Sequence, residues 1–359
     1  MRKFKFLSML LAMVMLVSVF SSTAFAATSK TEESDLAVSV VSSAVISDTL
    51  SVLSAMTEGR AFTVNSVETL YSLSGNVEYA LVTFSGGGYA IIDVASGCLV
   101  EALPDGINPY ANVSGDKYYA GPLNHIYMDS TDNLRSVKEN SVLTATEIQE
   151  KTTAITEARN QQEIAKAEGS GSKANPASAT VTYSSYIINT MAFGNNVNGT
   201  CGSVAAGMML TYLDNKVYGV GKIVPLSMAY GETLHQSLIP YCESTLLGGS
   251  TSGTVSSGIN SWLTANASNS YKVPKIVSAS YTYVGGRGKA ETSIAGGKPC
   301  VVSLGAILGS TYGDHQVLAF GYYSNSNGKY YNAHVGWSGS GYSNAIINSA
   351  WSPGVCWVS

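Results

Sequence analysis

The sequence is poor in charged residues, and this scarcity excludes binding partners that require a strongly charged surface. Only 12% of its 359 residues are charged, and no run of Lys or Arg occurs after the first five residues. Because a nucleic-acid-binding protein needs a basic patch to neutralise phosphates, we expect no nucleic-acid partner. Hydrophobic residues make up 45% of the chain, which is enough for packed cores and argues against wholesale disorder.

Cysteine and histidine are also scarce. Five cysteines in a chain of this length are too sparse for a small disulfide-stapled fold, and an odd number leaves at least one thiol unpaired within the chain. The four histidines form no cluster with cysteine or carboxylate at the usual spacings of metal ligands. We therefore expect no metal and no other cofactor. Cys300 lies in an apolar run and is predicted to be a buried, inert thiol.

The N-terminus has the pattern of a secretory signal peptide. Basic residues at the start precede an apolar run over residues 6–20, and Ala24-Phe25-Ala26 supplies a small-residue cleavage pattern. The alternative, an uncleaved membrane anchor, is disfavoured because the run is short. No second apolar stretch reaches spanning length. With 1–26 as the signal peptide, we expect a secreted, extracellular protein of bacterial type that has no membrane contact after cleavage.

Composition divides the remaining chain into three parts. Residues 27–135 contain a predicted helix, Ser34–Met56, and several strand-like segments, which together indicate a small α+β domain. Residues 136–178 form a linker, in which a solvated helix over 137–167 runs into a flexible Gly/Ser-rich segment. Residues 179–359 form a second domain rich in Gly and Tyr. The strands predicted for the first domain are 61–73, 78–84, 89–94 and 98–103.

The segment Asn198-Gly-Thr-Cys-Gly-Ser-Val-Ala-Ala-Gly-Met-Met-Leu-Thr-Tyr predicts a helix that begins at or beside Cys201. Its apolar residues (Val204, Ala205, Met208, Met209 and Tyr212) have the spacing of a single helix face. The positive end of a helix dipole favours the thiolate, which is the attacking species in thiol catalysis. Cys201 is therefore a candidate nucleophile. The alternative is a small buried cysteine that starts a core helix.

The segment Tyr312-Gly-Asp-His-Gln-Val-Leu-Ala-Phe-Gly-Tyr-Tyr places His315 at the start of an apolar strand. A polar turn then leads into a second strand, residues 330–337, which predicts a hairpin. His315 is a candidate general base for Cys201. The alternative is a structural histidine in the core.

Together the two segments resemble the papain-like cysteine peptidases. The run Asp314-His-Gln-Val-Leu-Ala-Phe-Gly-Tyr is similar to the strand that bears the catalytic histidine of that family, and the Cys201 helix is closest to the streptopain-type bacterial branch. The resemblance covers roughly residues 181–359, and the first domain is similar in character to a streptopain-type propeptide. It implies an α+β fold in which a helix bearing the cysteine packs on an antiparallel sheet bearing the histidine, preceded by a small α+β propeptide-like domain.

The resemblance also implies a third residue that orients the histidine, on the strand before Trp337. His334 occupies the position of the family's asparagine, which is a departure from the pattern, and Asn332 lies two residues earlier on the same face. We rank His334 first, and Asn348 of Asn348-Ser-Ala-Trp351 is a more distant candidate. We expect the Cys201 sulfur within hydrogen-bond reach of one His315 ring nitrogen, and His334 or Asn332 at the other.

The resemblance implies an oxyanion hole with a side-chain amide six residues before the nucleophile. That position is Asn195, which carries an amide on a shorter arm than the family's glutamine. Asn196 and Asn198 are competing candidates, and all three are also common in turns. The main-chain N–H of Cys201 is a second expected donor.

These features predict a secreted cysteine peptidase that cleaves peptide bonds in peptide or protein substrates. We expect it to be made as a precursor, inhibited by its own N-terminal domain and activated by cleavage between about Glu150 and Ser178. Two alternatives remain. One is a peptidoglycan-cleaving Cys/His amidase or endopeptidase, and the other is a non-catalytic surface binding protein on a peptidase scaffold.

Overall fold

The computed structural model describes residues 41–169, 177–182, 184, 187, 199–243, 250–272, 275–283, 285–304, 315–325, 328–336, 344–352 and 354–359. These residues belong to one compact unit that spans residues 37–359. The predicted signal peptide, 1–26, lies outside the described residues. In the part of the chain that is described, no helix has the length and hydrophobicity needed to cross a membrane.

The described residues form a mixed α+β fold with seven helices and one large sheet. The helices are α1 (Ser43–Met56), α2 (Ala145–Gly169), α3 (Cys201–Tyr212), α4 (Glu232–Cys242), α5 (Ser252–Asn266), α6 (Asn269–Lys272) and α7 (Gly286–Ala295). A π-helical turn, Leu213–Tyr218, follows α3, and a 3-10 turn occupies Ser349–Trp351. The strands are β1 (Val64–Tyr71), β2 (Val77–Phe84), β3 (Tyr89–Asp93), β4 (Leu99–Leu103), β5 (Lys117–Tyr119), β6 (His125–Met128), β7 (Leu134–Ser136), β8 (Ala177–Thr180), β9 (Ala279–Thr282), β10 (Cys300–Leu304), β11 (His315–Asn325), β12 (Gly328–His334), β13 (Asn344–Asn348) and β14 (Gly354–Val358).

The strands run in the order β7-β6-β5-β1-β2-β3-β4-β13-β12-β11-β10-β14-β9, and β8 pairs with β11. All of these pairings are antiparallel except that of β1 with β5. Strand β4 pairs with β13 through Ala102–Ile346 and Glu101–Ile347, so the sheet continues from the first predicted domain into the last. The α+β class is confirmed, while the domain boundaries stay predictions.

The strands predicted for the first domain are confirmed to within a few residues as β1, β2, β3 and β4. The short strands β5, β6 and β7 were not predicted. Each has only three or four residues, and Lys117, His125 and Arg135 break the apolar pattern that marks a strand. The predicted hairpin is confirmed as β11 and β12.

The linker helix begins later than its composition indicated. Residues 137–139 form a turn, and α2 starts at Ala145. Thr144 and Glu147 form a capping box: the Glu147 carboxylate accepts from the Thr144 main-chain N–H at 2.6 Å, and the Glu147 N–H donates to the Thr144 hydroxyl at 3.2 Å. The Thr-x-x-Glu pattern was present in the sequence and would have identified this start.

Two apolar clusters form the core. The smaller one packs α1 against the sheet and includes Leu53, Tyr330 and Ile346. The larger one contains α3 together with Val335 and Trp351, and it extends to residues of the first predicted domain such as Tyr119. The interior therefore runs without a break between the two predicted domains in the described part of the chain.

Candidate active site

Helix α3 begins at Cys201, as predicted, and lies deep in the fold. Every one of its residues is buried, and it packs against β10, β11, α4 and α5. The prediction of a single apolar face is wrong, because small residues let other elements approach the helix on several sides. Gly202 is one of these small residues, since a Cβ built on it would lie 2.0 Å from the Ser250 Oγ.

The Cys201 thiol is enclosed, with only 4% of the residue exposed. Burial raises the pKa of this thiol to about 11, and the nearby Glu243 carboxylate adds to the rise. The main-chain N–H groups of Gln316 and Gly202 oppose this rise in the pKa, because an N–H group that faces the sulfur favours the thiolate. We expected the helix start to favour the thiolate, but in the intact chain burial outweighs that effect. The group is a neutral thiol at pH 7.

His315 is the first residue of β11, and its ring is held by the main chain. Its Nε2 lies 2.9 Å from the Val335 carbonyl oxygen. Because a carbonyl can only accept, Nε2 carries the proton and Nδ1 is the basic nitrogen of the ring. Burial lowers the pKa of His315 to about 3, with a further contribution from the positive charge of Lys138. The imidazole is therefore neutral in the intact chain.

The helix start and the strand start occupy the same neighbourhood. The main-chain N–H that bonds the Cys201 sulfur belongs to Gln316, the residue directly after His315. The charge of Lys138 is also coupled to the ionisation of both Cys201 and His315. Cys201 and His315 thus lie in the same region of the fold, where α3 packs against β11, while the expected hydrogen bond between the sulfur and a ring nitrogen stays a prediction.

Lys138 was not singled out by the sequence, because residues 137–167 read as one solvated helix. It lies instead in the turn that follows β7. Part of its side chain remains exposed, but partial burial of the ammonium group lowers the pKa of Lys138 to about 8. A residue of the predicted linker therefore reaches the candidate site.

His334 is buried, and its Nδ1 accepts a hydrogen bond of 3.0 Å from the Gly336 main-chain N–H. Burial lowers the pKa of His334 to about 4. Side chains alternate along a strand, so His334 shares a β12 face with Tyr330, which packs on the α1 side. The expected contact of His334 with the second nitrogen of His315 is replaced by the Val335 carbonyl. An orienting role for His334 remains a prediction.

The two asparagines considered for the third position have other contacts. The Asn332 side-chain amide lies 3.5 Å from the Met56 carbonyl at the end of α1. Asn348 donates from Nδ2 to the Leu99 carbonyl at 3.1 Å, and its Oδ1 accepts from the Ala350 N–H at 3.0 Å. Asn348 thus binds β4 and caps the 3-10 turn.

The predicted side-chain oxyanion donor, Asn195, lies outside the described residues, as do Asn196 and Asn198. Asp314 and Trp337, which carry part of the family resemblance, also lie outside them. The main-chain N–H groups at the start of α3 are described, and they include the predicted donor of Cys201.

A chain of buried polar groups anchors the strand next to the thiol. The Ser303 hydroxyl donates to the Gln316 Oε1 at 2.9 Å, and the Ser252 and Ser303 hydroxyls lie 2.6 Å apart. Gln316 in turn donates from Nε2 to the Ser250 carbonyl at 3.0 Å. This network holds the Ser250 segment beside Gly202 and was not predicted, although Gln316 lies in the quoted motif.

All five cysteines lie in the described part of the chain, and no disulfide joins any two of them. Cys300 is fully buried, as predicted. No group of three or more His, Cys, Asp and Glu residues that could hold a metal ion occurs among the residues that are described.

The comparisons with known proteins give no match, either to a protein-family model or to a curated protein.

Proposed function

We propose that the chain is the precursor of an exported cysteine peptidase, with Cys201 as nucleophile and His315 as general base. One arrangement carries this proposal. The thiol lies at the start of a buried helix, beside the residue that follows His315, and the Val335 carbonyl accepts a hydrogen bond from the protonated Nε2. Nδ1 is then the nitrogen that can accept the thiol proton.

In this reaction His315 Nδ1 takes the proton from Cys201, and the thiolate attacks the carbonyl carbon of a peptide bond. The Cys201 main-chain N–H at the start of α3 stabilises the negative oxygen of the tetrahedral intermediate. His315 then gives its proton to the leaving amine, which leaves a thioester on Cys201. Water, deprotonated by His315, hydrolyses the thioester and restores the thiol. The Val335 carbonyl keeps the imidazole oriented throughout.

The ionisation of the pair supports a precursor role for the intact chain. The proton would have to move from a thiol with a pKa of about 11 to an imidazole with a pKa of about 3. Such a transfer is strongly unfavourable, because each unit of difference corresponds to about 1.4 kcal/mol. Departure of the Lys138 turn would admit water and remove a positive charge beside His315. Both changes raise the histidine pKa towards its ordinary range.

The test compares the purified chain, from residue 27 onward, with its Cys201→Ala variant. We expect the wild type to cut itself between about Glu150 and Ser178 and then to hydrolyse a protein substrate, whereas Cys201→Ala remains uncut, folded and inactive. Cys98→Ala is the matched control, since it removes another buried thiol and should leave both activities unchanged. Fragment masses and substrate turnover are followed together. Turnover by Cys201→Ala that equals the wild type would refute the proposal.

Two further arms separate the alternatives. Release of fragments from purified peptidoglycan, but not from protein, would point to a wall-cleaving enzyme. Cleaved, folded protein that neither turns over substrate nor reacts at Cys201 with an epoxysuccinyl reagent would point to a binding protein on an inactive scaffold. Processing of Cys201→Ala with no other protease present would exclude self-cleavage.

A further inference from the structure

Glu243, which the sequence did not single out, lies directly at the start of the Cys201 helix. It follows the last residue of α4, and its Oε1 accepts the Ser203 main-chain N–H at 2.7 Å. The carboxyl is partly buried, and burial raises the pKa of Glu243 above its ordinary 4.5. The carboxylate that follows α4 thus occupies one of the hydrogen-bond donors at the positive end of α3.

The Cys201 thiol and the Glu243 carboxyl lie at the same helix start. The Gly202 N–H favours the ionised form of the thiol and also the ionised form of the carboxyl. Two negative charges at one helix start repel each other, so ionisation of one opposes ionisation of the other. At the alkaline pH at which a thiol titrates, the carboxyl is the group that is already ionised.

We propose that Glu243 is a positioning residue that holds Cys201 in its protonated form, because its carboxylate binds the Ser203 N–H at the positive helix end and places a negative charge where a thiolate would otherwise be stabilised. The catalytic consequence rests on the proposed function. The ionisation of Cys201 can be measured whether or not the protein is a peptidase, so the two proposals fail separately.

The other charged or titratable groups around the thiol are either positively charged or neutral, unlike Glu243. Lys138, in the turn after β7, carries a positive charge that favours the thiolate. His315, on β11, is neutral in the intact chain. His235, on α4, lies with its Nδ1 3.7 Å from the Glu232 carboxylate, and burial lowers the pKa of His235. Glu243 is therefore the negative charge that opposes thiolate formation among the described neighbours of Cys201.

The experiment measures the rate of iodoacetamide alkylation at Cys201 as a function of pH in the full chain. Mass spectrometry of the Cys201 peptide separates this thiol from the other four. The pH midpoint of the rate reports the thiol pKa and does not depend on how accessible the sulfur is. The variants are Glu243→Gln, which keeps an oxygen acceptor for Ser203 but removes the charge, and Glu243→Asp, which keeps the charge. Glu232→Gln removes an exposed carboxylate from the same helix and is the matched control.

In Glu243→Gln the midpoint should fall by at least about one pH unit, which corresponds to at least a tenfold faster reaction well below the midpoint. Glu243→Ala is the second charge-removing variant and should shift the same way. Glu243→Asp and Glu232→Gln should stay close to the wild type. An unchanged or higher midpoint in either charge-removing variant would overturn the inference. An equal shift of the midpoint in Glu243→Asp would also overturn it, because the loss of a purely structural cap would affect the Asp variant as much as the Gln variant. Circular dichroism checks that each variant is folded.

Discussion

Arg159 joins the predicted linker helix to the first strands, and its replacement by alanine tests how firmly that helix is held. From α2, its guanidinium bonds the Asp93 carboxylate through Nε at 3.0 Å and Nη2 at 2.8 Å. Nη1 donates to the Glu78 carboxylate, and the guanidinium carbon lies 4.9 Å from the centre of the Tyr79 ring. One side chain thus binds two neighbouring strands.

The expected cost follows from the burial of these partners. The Asp93 side chain is only 3% exposed, so Arg159→Ala leaves a buried carboxylate without its cation. Breaking a buried pair costs about 3–5 kcal/mol, and loss of the ring contact adds about 0.5–1 kcal/mol. Because 28% of the Arg159 side chain remains exposed, and Asp93 keeps hydrogen bonds from Ser96, we expect about 2–4 kcal/mol in total.

Urea unfolding of the Cys201→Ala chain, which cannot process itself under the proposed mechanism, gives the free energy of unfolding. Arg60→Ala is the matched control: Arg60 also combines an ion pair, with Asp105, and a ring contact, with Phe62, but on the surface. An exposed pair contributes about 0–1 kcal/mol. A cost for Arg159→Ala no larger than that for Arg60→Ala would refute the reasoning. A small coupling between Arg159→Ala and Asp93→Asn in a double-mutant cycle would also count against it.

Two other predictions concern packing and pH. Gly202→Ala should destabilise the fold by about 1–3 kcal/mol, because the new Cβ would meet Ser250. Gly288→Ala, on an exposed face of α7 with no atom within 4 Å, should instead stabilise it by up to about 1 kcal/mol; equal effects in thermal unfolding would contradict this. His315 and His334 have folded pKa values of about 3 and about 4, below the ordinary 6.5. The unfolded chain therefore binds more protons in this window, and stability should fall as pH drops from about 6.5 to about 4. Replacing both with Gln should flatten that slope in urea titrations, and an unchanged slope would show that other groups cause it.

Local patterns in the sequence anticipated much of the secondary structure. Strands β1 to β4 and the β11–β12 hairpin are rich in apolar and aromatic residues, so they can be identified without knowledge of the strands they pair with. Strands β5 to β7 were missed because each is short and a polar residue interrupts its apolar pattern, and the contacts of their side chains with distant residues leave no local signal. The Tyr119 hydroxyl of β5, for example, donates a hydrogen bond to the buried Glu101 carboxylate of β4. The Nε2 atom of His125, on β6, lies within hydrogen-bond distance of the same carboxylate. No local pattern indicates either contact.

The candidate site was predicted only in part. Cys201 and His315 were identifiable because each lies at the start of a recognisable element. Lys138, Glu243 and Ser250 were not, because each reaches the thiol from a turn or helix end whose own sequence is unremarkable. The ionisation state was also beyond prediction: a helix start favours a thiolate, but the covering elements reverse that preference by desolvation.

The sequence by itself determined strands β1 to β4, the β11–β12 hairpin and the helix that begins at Cys201, because those properties depend on residues adjacent along the chain. The tertiary structure decided what surrounds the two side chains: the Val335 carbonyl on His315, the Glu243 carboxylate on the Cys201 helix, and the Lys138 turn beside both. These contacts arise from the pairing and packing of distant segments. They set the local burial and charge, which determine whether the thiol can react.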